Sequence, residues 1–415
     1  MNVTRRSFLR GALAGTAALT ISPIRALPTA LGASAPANGK FMVVVNLFGG
    51  NDGLNTVVPT HLQPYYDRRP TIALTSGLLD LDGRYMLHSN LTGCKALWDL
   101  GELAVVNRVG YPNRNLSHFT RQNIYSYGVR DVASNGDGRG WLGRFADTYC
   151  TDPNEPLGII AVGTGRRLDF SADAGESLVL SSVDGFRFEE DSDFRTDHAL
   201  RLRVARNILD REAPPAEGAA LTVYSTSRQA HELVDRVQAG VTGWTDPGTY
   251  PDNGLGNRMR EISRLLQGRM AFNTKVFYTG TGGFDTHSDQ PGRHDSLMQQ
   301  VDGALAAFAN DMKARGMWND CMVLVISEFG RRNYENGSRG TDHGHGNCFL
   351  VAGGAVGTAA VTGELAEADL NLEYPDFAYD FREIYSDIMT NHIGVDAGPL
   401  FPESFTTTGD INLLA

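Results

Sequence analysis

Only four cysteines occur in 415 residues, at Cys94, Cys150, Cys321 and Cys348, and no two form a C-x-x-C pair. That spacing excludes a zinc ribbon and a thioredoxin-type motif, leaving small buried thiols or one or two disulfides. No G-x-S-x-G elbow is present, which counts against an α/β-hydrolase. Nor does any apolar stretch reach the roughly 20 residues that a membrane-spanning helix needs. A basic surplus is missing as well: 37 Lys and Arg face 48 Asp and Glu, for a net charge of -11. Binding to a phosphate backbone needs the opposite sign, so nucleic acid is not an expected partner. What remains is a globular composition, with 41% hydrophobic and 20% charged residues and length for one large core or two smaller ones.

Positions 1–35 contain no acidic residue. There, Thr4-Arg5-Arg6-Ser7-Phe8-Leu9-Arg10 precedes an apolar Ala/Leu/Gly-rich stretch from Gly11 to Ile21, and Ala33-Ser34-Ala35 offers an A-x-A site. The pattern reads as a twin-arginine export signal over residues 1–35. It predicts a periplasmic or secreted protein, with the Tat translocon as partner during export and any metal or cofactor acquired in the cytoplasm. Cleavage after Ala35 would remove four of the 37 basic residues and shift the net charge from -11 to -15.

From residue 40 onward the sequence alternates between apolar runs and helical periodicity. Phe41–Phe48 is continuously apolar apart from Asn46 and ends in Gly49-Gly50-Asn51-Asp52-Gly53, as suits a strand buried on both faces whose carboxyl end meets a ligand. A helical stretch around Leu91–Leu100 leads to a second run, Leu103–Val109. The third run, Lys275–Tyr278, is followed by Gly282-Gly283-Phe284-Asp285-Thr286-His287 and a helix with Leu297, Val301, Leu305, Phe308 and Met312 on one face. Met322–Ile326 ends at Ser327-Glu328-Phe329-Gly330, and Phe349–Ala352 follows Thr341-Asp342-His343-Gly344-His345-Gly346. This rhythm predicts one α/β domain over 40–415, a three-layer sandwich with a mainly parallel central sheet. Between about 150 and 265 the rhythm weakens, apart from a helix-like stretch at Ser225–Gln238, and the segment reads as an elaboration or cap.

Carboxylates and imidazoles collect at the strand ends: Asp52, then Asp285 with His287, then Glu328 with Asp342, His343 and His345. A mixed oxygen and nitrogen set suits zinc or manganese rather than calcium, which prefers oxygen throughout. Two-residue spacing in extended segments points His343 and His345, or Asp285 and His287, to one side. Each residue alone has a plainer reading: an Asp in Gly-Asn-Asp-Gly is an ordinary turn residue. Their shared edge is what favours a metal. Ser117 opens the expected helix Thr120–Tyr127, either as a simple N-cap or as a metal-activated nucleophile, with Arg114 and Arg121 as anion clamps. His88 and His118 have no sequence partner and read first as structural, although His118 stands beside Ser117. Gly138-Arg139-Gly140-Trp141-Leu142-Gly143 satisfies G-x-G-x-x-G but follows a polar loop, so it is no dinucleotide fingerprint.

The segments Gly49–Thr56, Asn115–Phe119, Gly283–His287, Ser327–Arg331 and Thr341–Gly344 together resemble the bacterial family labelled domain of unknown function 1501. That family is grouped with the alkaline phosphatase and sulfatase superfamily. The resemblance implies an alkaline-phosphatase-like fold, with Asp52 on one metal, Asp285 and His287 on another, Glu328 and His343 or His345 completing the set, and Ser117 as nucleophile. Three departures stand out, one being that the Asp285-to-His287 spacing is shorter than in alkaline phosphatase. Phosphatases of the superfamily carry Asp-His where this chain has Glu328-Phe329, so one metal site is expected before two, and the cysteine-based sulfatase signature is absent around Ser117. The expected activity is metal-dependent hydrolysis of a phosphate or sulfate ester, the substrate being an anionic small molecule or glycan ester. The alternative is a non-catalytic periplasmic binding or assembly protein that retains the fold.

Overall fold

Successive residues of the first strand, β1 (Phe41–Leu47), enter two different cores. Phe41, Val43, Val45 and Leu47 pack on one side and Met42 and Val44 on the other. Side chains of a strand alternate between faces, so an unbroken apolar run is what a strand covered on both faces requires. The computed structural model describes residues 34–112, 117–152, 157–187, 198–211, 214–215, 217–409, 411 and 413–414. The signal-like segment before residue 34 and the candidate clamp Arg114 lie outside them.

The central sheet has nine strands. The others are β2 (Leu103–Gly110), β3 (Ile159–Val162), β4 (Leu178–Leu180), β5 (Val276–Thr281), β6 (Cys321–Ile326), β7 (Asn347–Ala352), β8 (Val361–Thr362) and β9 (Tyr379–Asp380). Their order is β8-β2-β7-β6-β1-β5-β3-β4, with β9 also pairing with β2. Parallel pairs join β1 to β5 and β6, β3 to β4 and β5, and β2 to β8 and β9. Only β7 runs antiparallel to its neighbours β2 and β6. The expected three layers and mainly parallel sheet are therefore present.

Against one face pack α1 (Thr92–Asp99) and the helices over Gly254–Leu266 and Gln290–Ala314, through Cys94, Leu97, Met259, Ile262, Val301 and Phe308. The other face is covered by α2 (His118–Tyr127) and α3 (Trp141–Tyr149), through Ile124, Tyr125, Trp141 and Phe145. Next along the chain come α4 (His198–Arg211) and α5 (Gly218–Gly240), then α6 (Gly254–Leu266), α7 (Gln290–Ala314) and α8 (Phe381–Asp387). The long helices on the first face are α6 and α7.

Residues 150–265, read as an elaboration or cap, contribute to the central layers. β3 and β4 extend the central sheet beyond β5, and α6 buries Leu255, Met259, Ile262, Leu265 and Leu266 in the main core. Strands of four and three residues between polar loops are too short to register as periodicity. The glycines of Gly138–Gly143 are explained by packing. A Cβ on Gly143 would lie 1.7 Å from the Ser171 carbonyl oxygen, and one on Gly140 would lie 2.1 Å from that of Leu168. All four cysteines are buried thiols. Among the described residues, no helix is long and apolar enough to cross a membrane.

Phe308 is fully buried on α7. Phe308→Ala should lower unfolding free energy by about 3–5 kcal/mol, read from urea denaturation.

Candidate metal centre

A parallel strand presents its carboxyl end, and the reversed β7 its amino end, to the same edge of the sheet. The loops after β1, β2, β5 and β6 therefore meet the loop that enters β7. The first of these loops is squeezed. Gly50 has φ +80°, and a Cβ there would lie 2.1 Å from the Phe329 ring, so only glycine fits.

One guanidinium ties these loops together. Arg331, fully buried, donates to the carbonyls of Gly50 (2.7 Å), Thr341 (2.9 Å) and Phe284 (2.9 Å), to that of Gly49, and to Asp285 Oδ1 (2.7 Å). Burial alone would raise the Asp285 pKa. The Arg331 hydrogen bond and charge, with smaller help from His287 and His118, instead hold it at about 2. This carboxylate is thus ionised across the neutral range.

Three imidazoles surround the same oxygen. His287 Nε2 lies 3.0 Å from Asp285 Oδ1, His343 Nε2 3.4 Å and His118 Nε2 3.5 Å. His287 Nε2 and His343 Nε2 are 2.9 Å apart. Two of the rings are oriented from behind, since His118 Nδ1 lies 3.1 Å from Glu328 Oε1 and His287 Nδ1 lies 2.9 Å from Asp342 Oδ1. A carboxylate on Nδ1 fixes the tautomer that leaves Nε2 as the donor to a metal. Tetrahedral coordination with bonds of about 2.0–2.1 Å separates ligand atoms by about 3.3 Å. The 3.4 and 3.5 Å edges from Asp285 to His343 and His118 fit that spacing. Ligand atoms of His118, Asp285 and His343 all lie within 4.8 Å of one another.

The residues expected from sequence divide into several groups. Asp285, His287 and His343 come together. Glu328 stands behind His118, with burial raising its pKa and the His118 hydrogen bond, backbone amides and Gln122 together lowering it below the ordinary value. Asp52 is placed elsewhere and is corrected as a ligand. Its Oδ2 accepts from Arg69 at 2.6 Å and from Gln290 at 2.5 Å, so a buried guanidinium supplies the positive charge that a metal was expected to provide. His345 is likewise diverted: it is buried, with Nε2 3.0 Å from the Tyr111 carbonyl oxygen. The expectation of a shared side failed because the chain between His343 and His345 is not a regular strand. Gly344 pairs with Gly330, and a Cβ on it would lie 2.3 Å from the Arg331 backbone.

Ser117 is exposed at the N-cap of α2, with no side-chain capping hydrogen bond. Arg121 is corrected as a clamp for surface-bound substrate, because it is fully buried and stacks 4.8 Å from the Phe329 ring centroid. His118, which reads first as structural, is the further imidazole at this oxygen. Its one signal was adjacency to Ser117 at a helix start. Arg69 carried no signal, and Arg331 only its place at the end of Ser327–Arg331, since a buried arginine looks in sequence like a surface one.

The family described as "Protein of unknown function (DUF1501)" matches residues 102–401. No curated protein matches the sequence. Among solved structures, the chain is similar to the lipoteichoic acid synthase LtaP from Listeria monocytogenes, at 11% identity and TM-score 0.39, over 94% of this chain and 79% of that one. It is also similar to a protein in the alkaline phosphatase superfamily from Vibrio parahaemolyticus, at 12% identity and TM-score 0.37, over 96% and 78%. A third is alkaline phosphatase from the Antarctic bacterium TAB5, at 10% identity and TM-score 0.32, over 79% and 95%.

Arg331→Met should cost about 3–5 kcal/mol, because it strands several buried carbonyls at once, as urea denaturation would show. A pH effect is expected beside the Asp52 ion pair, where burial lowers the His294 pKa from 6.5 to about 4. Below pH 6.5 the unfolded chain takes up a proton that the folded site refuses. Stability from this group is therefore complete above pH 6.5 and is lost as pH falls toward 4. His294→Gln should flatten that acid limb in urea titrations run between those limits.

Proposed function

The chain belongs to the DUF1501 family, and from that premise we propose that it is an exported, metal-dependent hydrolase of phosphate or sulfate esters. The observation that carries this reading is the meeting of His118, His287 and His343 at Asp285 Oδ1, with Glu328 and Asp342 behind two of the rings. His118, Asp285 and His343 would hold one divalent ion, zinc or manganese, whose bound chemistry is Lewis-acid polarisation of an ester oxygen.

The chain's own residues supply the remaining parts. Ser117 Oγ attacks the phosphorus or sulfur, a bond to the alcohol oxygen breaks, and the alcohol leaves. Water then attacks the serine ester and returns Ser117 to its starting state. Amides in the first turn of α2 favour the nonbridging oxygens, since a helix N-terminus carries partial positive charge. The exported location rests on Thr4–Arg10 and the apolar segment after it. One observation favours a single metal: Asp52 is committed to Arg69. The same ion pair favours, as second reading, a protein that binds an anionic ester without cleaving it.

Purified protein should contain about one equivalent of zinc or manganese, and Asp285→Asn and His343→Ala should each lose it. Ser117→Ala should keep the metal while hydrolysis of an aryl phosphate or sulfate falls by about 10³-fold or more. A folded protein that keeps its metal but cleaves neither ester selects the binding reading. One without metal removes the hydrolase reading. Chelation should also lower the melting temperature of metal-loaded protein, because the ion binds only the folded chain.

A further inference from the structure

The helix that places His118 at the metal centre carries a second, unexplained group one turn on. Arg121 has no exposed surface, and none of its Nε, Nη1 and Nη2 atoms has a hydrogen-bond partner among the described residues. The hydroxyls of Tyr111 and Tyr125 are also buried and without a partner there. Both phenols lie within electrostatic range of the guanidinium. Burial raises both tyrosine pKa values, that of Tyr111 to about 12, so neither hydroxyl is ionised to balance the charge. Glu328 is the acid that reaches Arg121 electrostatically, but its hydrogen bonds go to His118, Gln122, Ser327 and the Gly49 amide.

We infer that Arg121, Tyr111 and Tyr125 form a buried site for one small monovalent anion of the halide class, separated from the metal centre by the Phe329 ring. A guanidinium can only donate, whereas a phenol both donates and accepts, so the group has more donors than acceptors and no negative charge of its own. Water offers acceptor lone pairs but leaves the charge unbalanced, whereas an anion satisfies both needs. The surroundings are aromatic: Tyr125 stacks on Phe381 at 4.2 Å and meets Phe349 at 6.2 Å, while Tyr111 meets Phe381 edge-on at 6.4 Å. Such a lining suits a weakly hydrated ion over a large oxyanion.

The anion has a structural effect that does not depend on hydrolysis. It neutralises the face of α2 that bears Arg121 and Tyr125, and so holds Arg121 against one side of Phe329. His118 and His343 lie beside the same ring, each with its centroid 4.8 Å from that of Phe329.

The test is bromide binding to chelator-treated protein, so that failure of the metal reading is scored separately. Crystals grown in bromide should show an anomalous peak within about 3.5 Å of the Arg121 guanidinium. In solution, chloride or bromide should raise the melting temperature saturably by about 2 °C relative to gluconate at equal ionic strength. The double variant Tyr111→Phe/Tyr125→Phe keeps both rings, and the midpoint of its response should move about 10-fold higher in halide. Arg121→Met should abolish the response if that variant folds. A flat halide response in the native protein, or bromide peaks only at the surface as an adventitious ion only, would overturn the proposal.

Discussion

The arrangement of this edge depends on one buried guanidinium. Arg331 leaves the end of β6 and takes up carbonyl oxygens from the loops after β1 and β5 and from the loop before β7, together with the Asp285 carboxylate. Backbone carbonyls at strand ends have lost their sheet partners and need donors. Supplying them from one rigid fork fixes the loops relative to one another. The same fork keeps Asp285 ionised, so the geometry and the electrostatics of the centre share one cause. A lysine would present a single point charge in place of several directed donors.

The second constraint is the direction of β7. If β7 were parallel to its neighbours, the loop holding His343 would enter at the opposite edge of the sheet, far from Asp285. Reversal brings that imidazole to the carboxyl ends of β1, β5 and β6. Behind the ring cluster, Glu328 and Asp342 exchange the role of direct ligand for that of orienting the histidines. An acidic residue at this edge thus has three distinct uses: Asp285 faces the rings, Glu328 and Asp342 hold them from behind, and Asp52 balances Arg69.

Much of the framework was legible because double burial writes itself as long apolar runs. β1, β2 and β6 lie within a residue or two of their expected limits, and α7 shows the four-residue spacing that marked it. Asp285, His287 and His343 were legible by their positions after or before such runs. What was not legible depends on tertiary partners. Nothing local distinguishes Asp52, paired across the loop with Arg69, from a ligand. Nothing local shows that His345 turns to the Tyr111 carbonyl, or that β3 and β4 join the sheet through only a few residues each. His118 was set aside because a histidine without a sequence neighbour gives no spacing to read, although its partners Glu328 and Asp285 were both in view.

The strand order also dictates a sequence of assembly. Among the described residues β1 is the first strand of the sheet in chain order, yet its two neighbours begin at Val276 and Cys321. Between β1 and β5 lie several helices and three other strands of this sheet. Pairings so distant along the chain form slowly, because a large loop must close before any hydrogen bond rewards it. Both edges of β1 are therefore covered only by segments more than 200 residues further along the chain, and its place in the middle of the sheet is filled late in folding.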